Sequence, residues 1–270
     1  MSENGGPPLI TVSEALSFDE AALKAYLSDH LEGFSGDLQV RQFNAGQSNP
    51  TYQLSAGGRK YVLRKKPPGT LLPSAHAVDR EYRVMHALRD TPVPVPKMLH
   101  LCTDPSVIGT DFYVMEMVEG RVFHDPSLPG LTPSERRAFY ESFIKALADL
   151  HAVKPEAVGL GDFGRPEGYL SRQVARWTKQ YKATETETIT AMDKLMEWLP
   201  ANLPADDEAA IVHGDFRPGN AIVRDGTPEV AALLDWELCT LGHPLADLGY
   251  VCANYHADNL PTGQFKGLDF

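Results

Sequence analysis

The chain has 270 residues, of which 43% are hydrophobic and 23% charged, and a formal net charge of -11. That length can bury a sizeable core as one large domain or as two lobes, and the acidic balance argues against nucleic acid or an anionic membrane as a global partner. With no apolar run near the roughly 20 residues of a membrane helix, no secretory-signal order, and only Cys102, Cys239 and Cys252 widely spaced, the expectation is no membrane insertion, no disulfide framework and a reducing cytoplasm.

In chain order, Ser17 with Glu20 reads as a capping box that opens a helix through Leu31, with Ala21, Leu23, Leu27 and Leu31 as a partial apolar stripe. Strands are expected over 38–43, 51–54 and 60–64, with Ala56-Gly57-Gly58 as a hairpin turn between the second and third. Between the first two lies Asn44-Ala45-Gly46-Gln47-Ser48-Asn49, a small, polar segment whose backbone amides could approach an anion, an ordinary turn being the alternative. A helix over 74–89 and a strand over 112–118 complete a strand-rich first part. Thr132-Pro133-Ser134-Glu135 combines a capping box with Pro at the first helical position, so a helix should run to Ala152 with Phe139, Phe143, Leu147 and Leu150 facing the core. Further helices are expected over 169–182 and 187–199. The last twenty residues, with Pro261 and two glycines, read as loop.

The segment His213-Gly214-Asp215-Phe216-Arg217-Pro218-Gly219-Asn220, followed by Leu233-Leu234-Asp235-Trp236-Glu237, carries the chemistry. Asp215 and Asn220 stand in D-x-x-x-x-N spacing, so one short loop can hold a carboxylate base and a metal ligand. Asp235 ends the apolar run Val230-Ala231-Ala232-Leu233-Leu234, a buried strand that would deliver its carboxylate to a cleft rim. Ala221-Ile222-Val223 is a second short strand, and Asp225-Gly226 a turn between the two. Phosphoryl transfer needs such a base and two further oxygen ligands for magnesium, because the protein there mainly positions groups and neutralises charge. Asp215 and Arg217 are the candidate catalytic residues, Arg217 to neutralise the transferring group; Asn220 and Asp235 are the candidate metal ligands. His213 reads as a scaffold residue, His243 as a turn residue, and the role of Glu237 stays open between a second metal and a substrate hydroxyl.

These two motifs resemble the signature of the aminoglycoside phosphotransferase and choline kinase group, and the resemblance runs from about Phe43 to Asp247. It implies an α+β, protein kinase-like, two-lobed fold: 1–118 as a nucleotide-binding lobe with a leading helix, 119–270 as a catalytic and substrate lobe. It also implies ATP and Mg2+ as cofactors. Gly46, Ser48 and Asn49 would then contact the nucleotide through a shortened loop. Arg64 would take the place of the strand lysine that pairs with phosphates, with Lys65 as the fallback, and Glu81 would be its helix partner. Glu116 and Met117 would form the hinge that reads adenine by backbone. Asp247 would brace the catalytic loop. Because the group continues with more helices past this region, the second lobe is expected to be incomplete at its C-terminus.

The stretch from Tyr61 to Val84 further resembles the kinase domain at the front of some long acyl-CoA dehydrogenases and its free-standing bacterial relatives. That implies a small-molecule acceptor with a free hydroxyl, such as 4-hydroxyacyl-CoA, and a functional link to an acyl-CoA dehydrogenase. Arg172, Arg176 and Lys179, at i, i+4 and i+7, could meet the phosphates of coenzyme A or be a solvated face. An aminoglycoside or choline-type amino-alcohol kinase is the alternative within enzymes, and a nucleotide-binding scaffold without transfer activity the alternative outside them.

Overall fold

The computed structural model describes residues 8–44, 48–69, 76–206 and 208–256. Its first half is a six-stranded antiparallel sheet, β1 (Leu9–Ile10), β2 (Gln39–Phe43), β3 (Thr51–Ala56), β4 (Arg59–Lys65), β5 (Met98–Cys102) and β6 (Phe112–Glu116), in the order β1-β2-β3-β4-β6-β5. Helix α1 (Glu20–His30) covers one face and α2 (Val78–Leu88) the other.

The pleat decides what goes where. Tyr61 and Leu63 of β4, with Phe112 and Val114 of β6, join Leu23 and Leu27 of α1 in one core cluster. Val62, Tyr113 and Met115 point the other way, to Val84, Met85 and Leu88 of α2. The same alternation sends Arg64 to the α2 face and Lys65 to the α1 face. Both glycines of the β3–β4 turn, Gly57 and Gly58, have positive φ (56° and 76°), the backbone of a tight hairpin turn that side chains resist.

The start of α1 differs from expectation. Asp19, not Ser17, is the N-cap: its Oδ1 accepts from the amides of Ala21 and Ala22, each at 2.9 Å. Ser17 instead closes a preceding turn over Glu14–Leu16, with its hydroxyl donating to the Glu14 carbonyl. Between the two, Phe18 sets its ring edge-on to Tyr52 at 5.1 Å.

Past β6 the chain turns helical. The expected box at Thr132 forms as written, and α3 (Pro133–Ala152) buries Phe139, Phe143, Leu147 and Leu150. Helices α4 (Tyr169–Thr184) and α5 (Thr190–Ala201) follow, and neither has a buried residue. Two small antiparallel pairs then build the chemistry: β7 (Ala210–Val212) with β10 (Thr240–Gly242), and β8 (Ala221–Val223) with β9 (Val230–Leu233). Helix α6 (Leu245–His256) overturns part of the expected terminal loop, since six of the residues read as loop continue it. The backbone amide of Leu245 donates to His243 Nδ1 at the start of that helix. No helix among the described residues is long and apolar enough to cross a membrane.

A backbone contact is among those that join the two parts. Arg121, just beyond β6, exchanges both backbone hydrogen bonds with Val223 of β8, each 2.8 Å. Gly120 makes this approach possible: a Cβ there would lie 2.3 Å from the Val223 carbonyl oxygen.

Candidate active site

The β8–β9 hairpin sets the spacing of the polar groups. Ala221 pairs with Leu233, and the Leu234 amide donates to the Asn220 carbonyl at 2.8 Å, so Asn220 and Asp235 emerge from the same end of the hairpin. Asp235 has φ +64°, a left-handed backbone uncommon for a residue with a side chain. The turn Trp236–Leu238 follows it at once, so the strained residue aims its carboxylate away from the strand line and into the cleft.

Asp215 lies across from it. Asn220 Nδ2 donates to Asp215 Oδ2 at 2.7 Å and to the Asp215 carbonyl at 2.9 Å; Arg217 Nε donates to the same Oδ2 at 3.1 Å. Spending the amide nitrogen of Asn220 on Asp215 leaves its carbonyl oxygen as the atom that can meet a hard cation.

The backbone of this loop is held from beneath. Asp247, 1% exposed, accepts from the amides of His213 and Gly214 at 2.8 Å each and contacts His151 Nε2 at 3.1 Å. His213 is fully buried against Trp236 and Phe216. Its Nε2 donates to the Leu234 carbonyl at 3.0 Å, and its Nδ1 accepts the Asp215 amide at 3.3 Å. Both ring nitrogens are used by one neutral tautomer, so His213 joins the loop to the β9 end and has no proton free to trade.

Burial pushes the His213 pKa down, with Asp247 pulling the other way. In the unfolded chain the ring titrates near pH 6.5, so between the folded value and about 6.5 the unfolded state binds the extra proton. The stability His213 contributes is therefore present above about pH 6.5 and lost as pH falls towards the folded value, at no more than about 1.4 kcal/mol per pH unit. Thermal melts of wild type and His213→Gln from pH 7.5 to 5 should converge on acidification. Melting curves that stay parallel across that range would count against this reading.

Arg64 faces these groups from the sheet. Its Nη2 donates to Asp235 Oδ1 at 2.7 Å and lies 3.8 Å from Glu237, and its Nε is 3.1 Å from Glu81 Oε2, within ion-pair distance. Glu81 is 1% exposed and also accepts from Tyr113 Oη at 3.0 Å and Asn49 Nδ2 at 2.7 Å. Burial lifts the Glu81 carboxyl above the usual carboxylate range, with Arg64 opposing it. Burial works against the Arg64 charge, yet Glu81, Tyr113 and Asp235 together leave its pKa above the usual arginine value. Arg64 is therefore a fixed cation. Lys65 is buried on the opposite face, with its ammonium 5.8 Å from the Phe18 ring.

The remaining candidates are placed as follows. Gly46 lies outside the described residues. Ser48 donates from its hydroxyl to Glu237 Oε1 at 3.0 Å. Asn49 spends its side chain on Glu81 and on His76, whose Nδ1 is 3.1 Å from Asn49 Oδ1, so only its backbone can meet a phosphate. The Glu116 amide donates to the Lys97 carbonyl at 2.9 Å, and Met117 is the residue that leaves the sheet. Arg172 is turned back onto the carbonyls of Arg165 and Glu167, which leaves exposed Arg176, lying over the Trp177 ring, and exposed Lys179 of the expected basic row.

Sequence reasoning missed Tyr113 and His76 around Glu81, and the Ser48–Glu237 bond. Tyr113 could have been found from register, because it stands directly opposite Arg64 in the β4–β6 pairing. The Ser48–Glu237 bond has no local sequence signal, as 189 residues separate the two.

Residues 39–267 match the family model described as "Phosphotransferase enzyme family". Acyl-CoA dehydrogenase family member 10 from Mus musculus is 49% identical over 253 residues, covering 93% of this chain and 24% of that protein. Acyl-CoA dehydrogenase family member 11 from Homo sapiens is 48% identical over 256 residues, covering 93% of this chain and 33% of that protein. The chain thus spans about a quarter to a third of the curated relatives it matches. A crystal structure from Ralstonia eutropha JMP134, provisionally assigned as an aminoglycoside phosphotransferase, superposes with TM-score 0.85 and 50% identity over 94% of this chain and 75% of that one. Macrolide 2'-phosphotransferase type I shares the fold at TM-score 0.64 and 24% identity, over 90% of this chain and 78% of that one. On the fold and these matches, the chain belongs to the phosphotransferase enzyme family and has its protein kinase-like architecture.

Proposed function

We propose that this chain transfers the γ-phosphoryl group of ATP to the hydroxyl of a hydroxyacyl-coenzyme A thioester. The observation that carries the chemistry is the convergence of Asp215, Asn220 and Asp235 at one end of the β8–β9 hairpin, opposite Arg64 from the sheet. In the reading, residues 1–118 grip the nucleotide and 119–270 bear the reacting groups. The acceptor oxygen forms a bond to the γ-phosphorus as the bond to the ADP oxygen breaks, and its proton passes to Asp215. Arg217, bonded to Asp215, answers charge on the transferring group, and Arg64 holds the nucleotide phosphates. Ser48, Asn49 and Gly46 would offer backbone amides to the same phosphates, and the backbone at Glu116 and Met117 would border the base.

The donor set fits Mg2+. Asn220 and Asp235 offer oxygen ligands, and among the described residues there is no closed cluster of three or more His, Cys, Asp or Glu side chains to hold a metal. Such a partial set suits an ion that keeps waters and takes phosphates as ligands. When bound it would neutralise charge on the nucleotide phosphates.

The thioester acceptor is supported by the identity with the acyl-CoA dehydrogenase family members across nearly all of this chain, which also supports a functional link to a dehydrogenase. Exposed Arg176 and Lys179 on α4 suit the anionic part of coenzyme A. The decisive measurement is magnesium-dependent ATP consumption with 4-hydroxyacyl-CoA, 3-hydroxyacyl-CoA, choline and kanamycin. Turnover on the thioesters alone is expected. Turnover confined to kanamycin, which the provisional assignment of the Ralstonia protein would favour, or to choline overturns the acceptor; ATP binding without any turnover overturns transfer itself.

A further inference from the structure

Glu237 is the member of the Asp235 motif that the chemistry proposed above leaves unused. It stands on a firm base, since the neighbouring Trp236 is buried and its indole Nε1 donates to the Leu233 carbonyl at 3.0 Å. From that turn the Glu237 carboxylate reaches the strand-rich part of the chain with a different oxygen for each contact. Oε1 accepts from the Ser48 hydroxyl at 3.0 Å, and Oε2 lies 3.8 Å from Arg64 Nη2, the nitrogen that donates to Asp235. The segment at Ser48 is pinned from the other side as well. Asn49 gives its Nδ2 to Glu81 at 2.7 Å, and the Pro50 carbonyl accepts the Lys65 amide at 3.1 Å, next to Arg64. Ser48 thus ties to the catalytic part the same short segment that Asn49 and Pro50 tie to α2 and β4.

We propose that Glu237 is a positioning residue that acts through Ser48: it fixes the Ser48–Asn49 backbone for the nucleotide phosphates and steadies Arg64 with the same carboxylate. This role rests on the phosphotransferase reading of the site. It gives Glu237 to the nucleotide, in place of a second metal or a substrate hydroxyl. The side chains of Ser48 and Asn49 are both spent on protein partners, so their backbone amides are what they have left for an anion. A segment already held at both ends loses little further freedom when phosphates bind, and that saving appears as affinity. The Glu237 charge itself repels phosphates, and the Arg64 guanidinium beside it offsets that repulsion. Hydrogen bond and charge therefore act in opposite directions on the nucleotide.

A double-mutant cycle in the full chain separates them: wild type, Ser48→Ala, Glu237→Ala and the pair, with Glu237→Gln added, after melts confirm that each is folded. ATP affinity is titrated with magnesium and again with the metal chelated. Ser48→Ala should weaken ATP binding about fivefold in the wild type, the scale of one hydrogen bond, and by less than about twofold where Glu237 is already Ala. Glu237→Gln and Glu237→Ala both lack the charge, but Gln keeps an oxygen for the Ser48 hydroxyl, so it should bind ATP about fivefold more tightly than Ala does. Both patterns should hold in the two titrations, and KM for the acceptor should not follow them. A residue that only supported the fold would shift the melts without this coupling. An equal loss from Ser48→Ala in both backgrounds, variants that all match the wild type, or an effect of Glu237→Ala confined to the magnesium titration overturns the positioning role. A wild type that binds no ATP in either titration overturns the phosphotransferase reading, and the role of Glu237 with it.

Discussion

Replacing Asp215 by Asn should lower kcat for phosphoryl transfer by about 10²–10⁴-fold, the contribution of a positioned general base. Nucleotide affinity should change by less than about threefold, because the Asp215 carboxylate bonds to Asn220 and Arg217 and not to Arg64, and the Asn side chain can still accept from Asn220. The substitution preserves size, but one oxygen becomes an NH2 group facing a site already supplied with two donors, Asn220 Nδ2 and Arg217 Nε. The new amide can accept from both only with its oxygen in the Oδ2 position, which leaves its NH2 where the acceptor hydroxyl must be deprotonated. Steady-state kinetics beside a nucleotide-binding titration separates the effects. Retention of more than about a tenth of wild-type kcat would remove Asp215 from the role of base.

The second large effect concerns folding as much as activity. Arg64→Ala should destabilise the protein by about 3–5 kcal/mol, since removing one member of a buried ion pair leaves the other uncompensated. Glu81, almost fully buried, would keep Tyr113 and Asn49 but lose the cation paired with it, and Asp235 and Glu237 would lose the guanidinium they share. A melting midpoint lower by roughly 10 °C is expected for a chain of this size. Arg64→Lys should fall between: it keeps the charge, but a single ammonium cannot reach Glu81 and Asp235 with the two edges of a planar fork. Melting within about 2 °C of wild type for Arg64→Ala would show that the three carboxylates are relieved some other way. Because Arg64 also faces the phosphates, its loss should weaken nucleotide binding, which the Asp215 variant does not.

The contrast between what the sequence made legible and what it hid follows from the range of the interactions involved. Asp215, Asn220 and Asp235 were legible because a loop of fixed length and a short hairpin set their spacing locally. Arg64 was read from the resemblance with Lys65 as the fallback, and the alternation along β4 places the two on opposite faces. The short strands β5, β7 and β10 were not foreseen, since three to five residues give too little periodicity to read. Ser17 was read as the cap for α1 whereas Asp19 takes that place, and Phe18 between them packs against Tyr52, a tertiary contact that no local pattern gives. The shell around Glu81 draws on residues 49, 64, 76 and 113, and only sheet register brings Tyr113 beside Arg64.

Helices α4 and α5 hold no buried side chain, whereas the residues around Arg64 and Asp247 answer one another from distant stretches of chain. Over evolutionary time these two regions face different rules. A change at Glu81 or Asp247 leaves its distant partners unmatched, so a single substitution there is expected to be costly. Helices α4 and α5 can accept single substitutions one by one at little cost to the whole, which makes them raw material on which selection for new substrates can work while the phosphate chemistry is inherited intact.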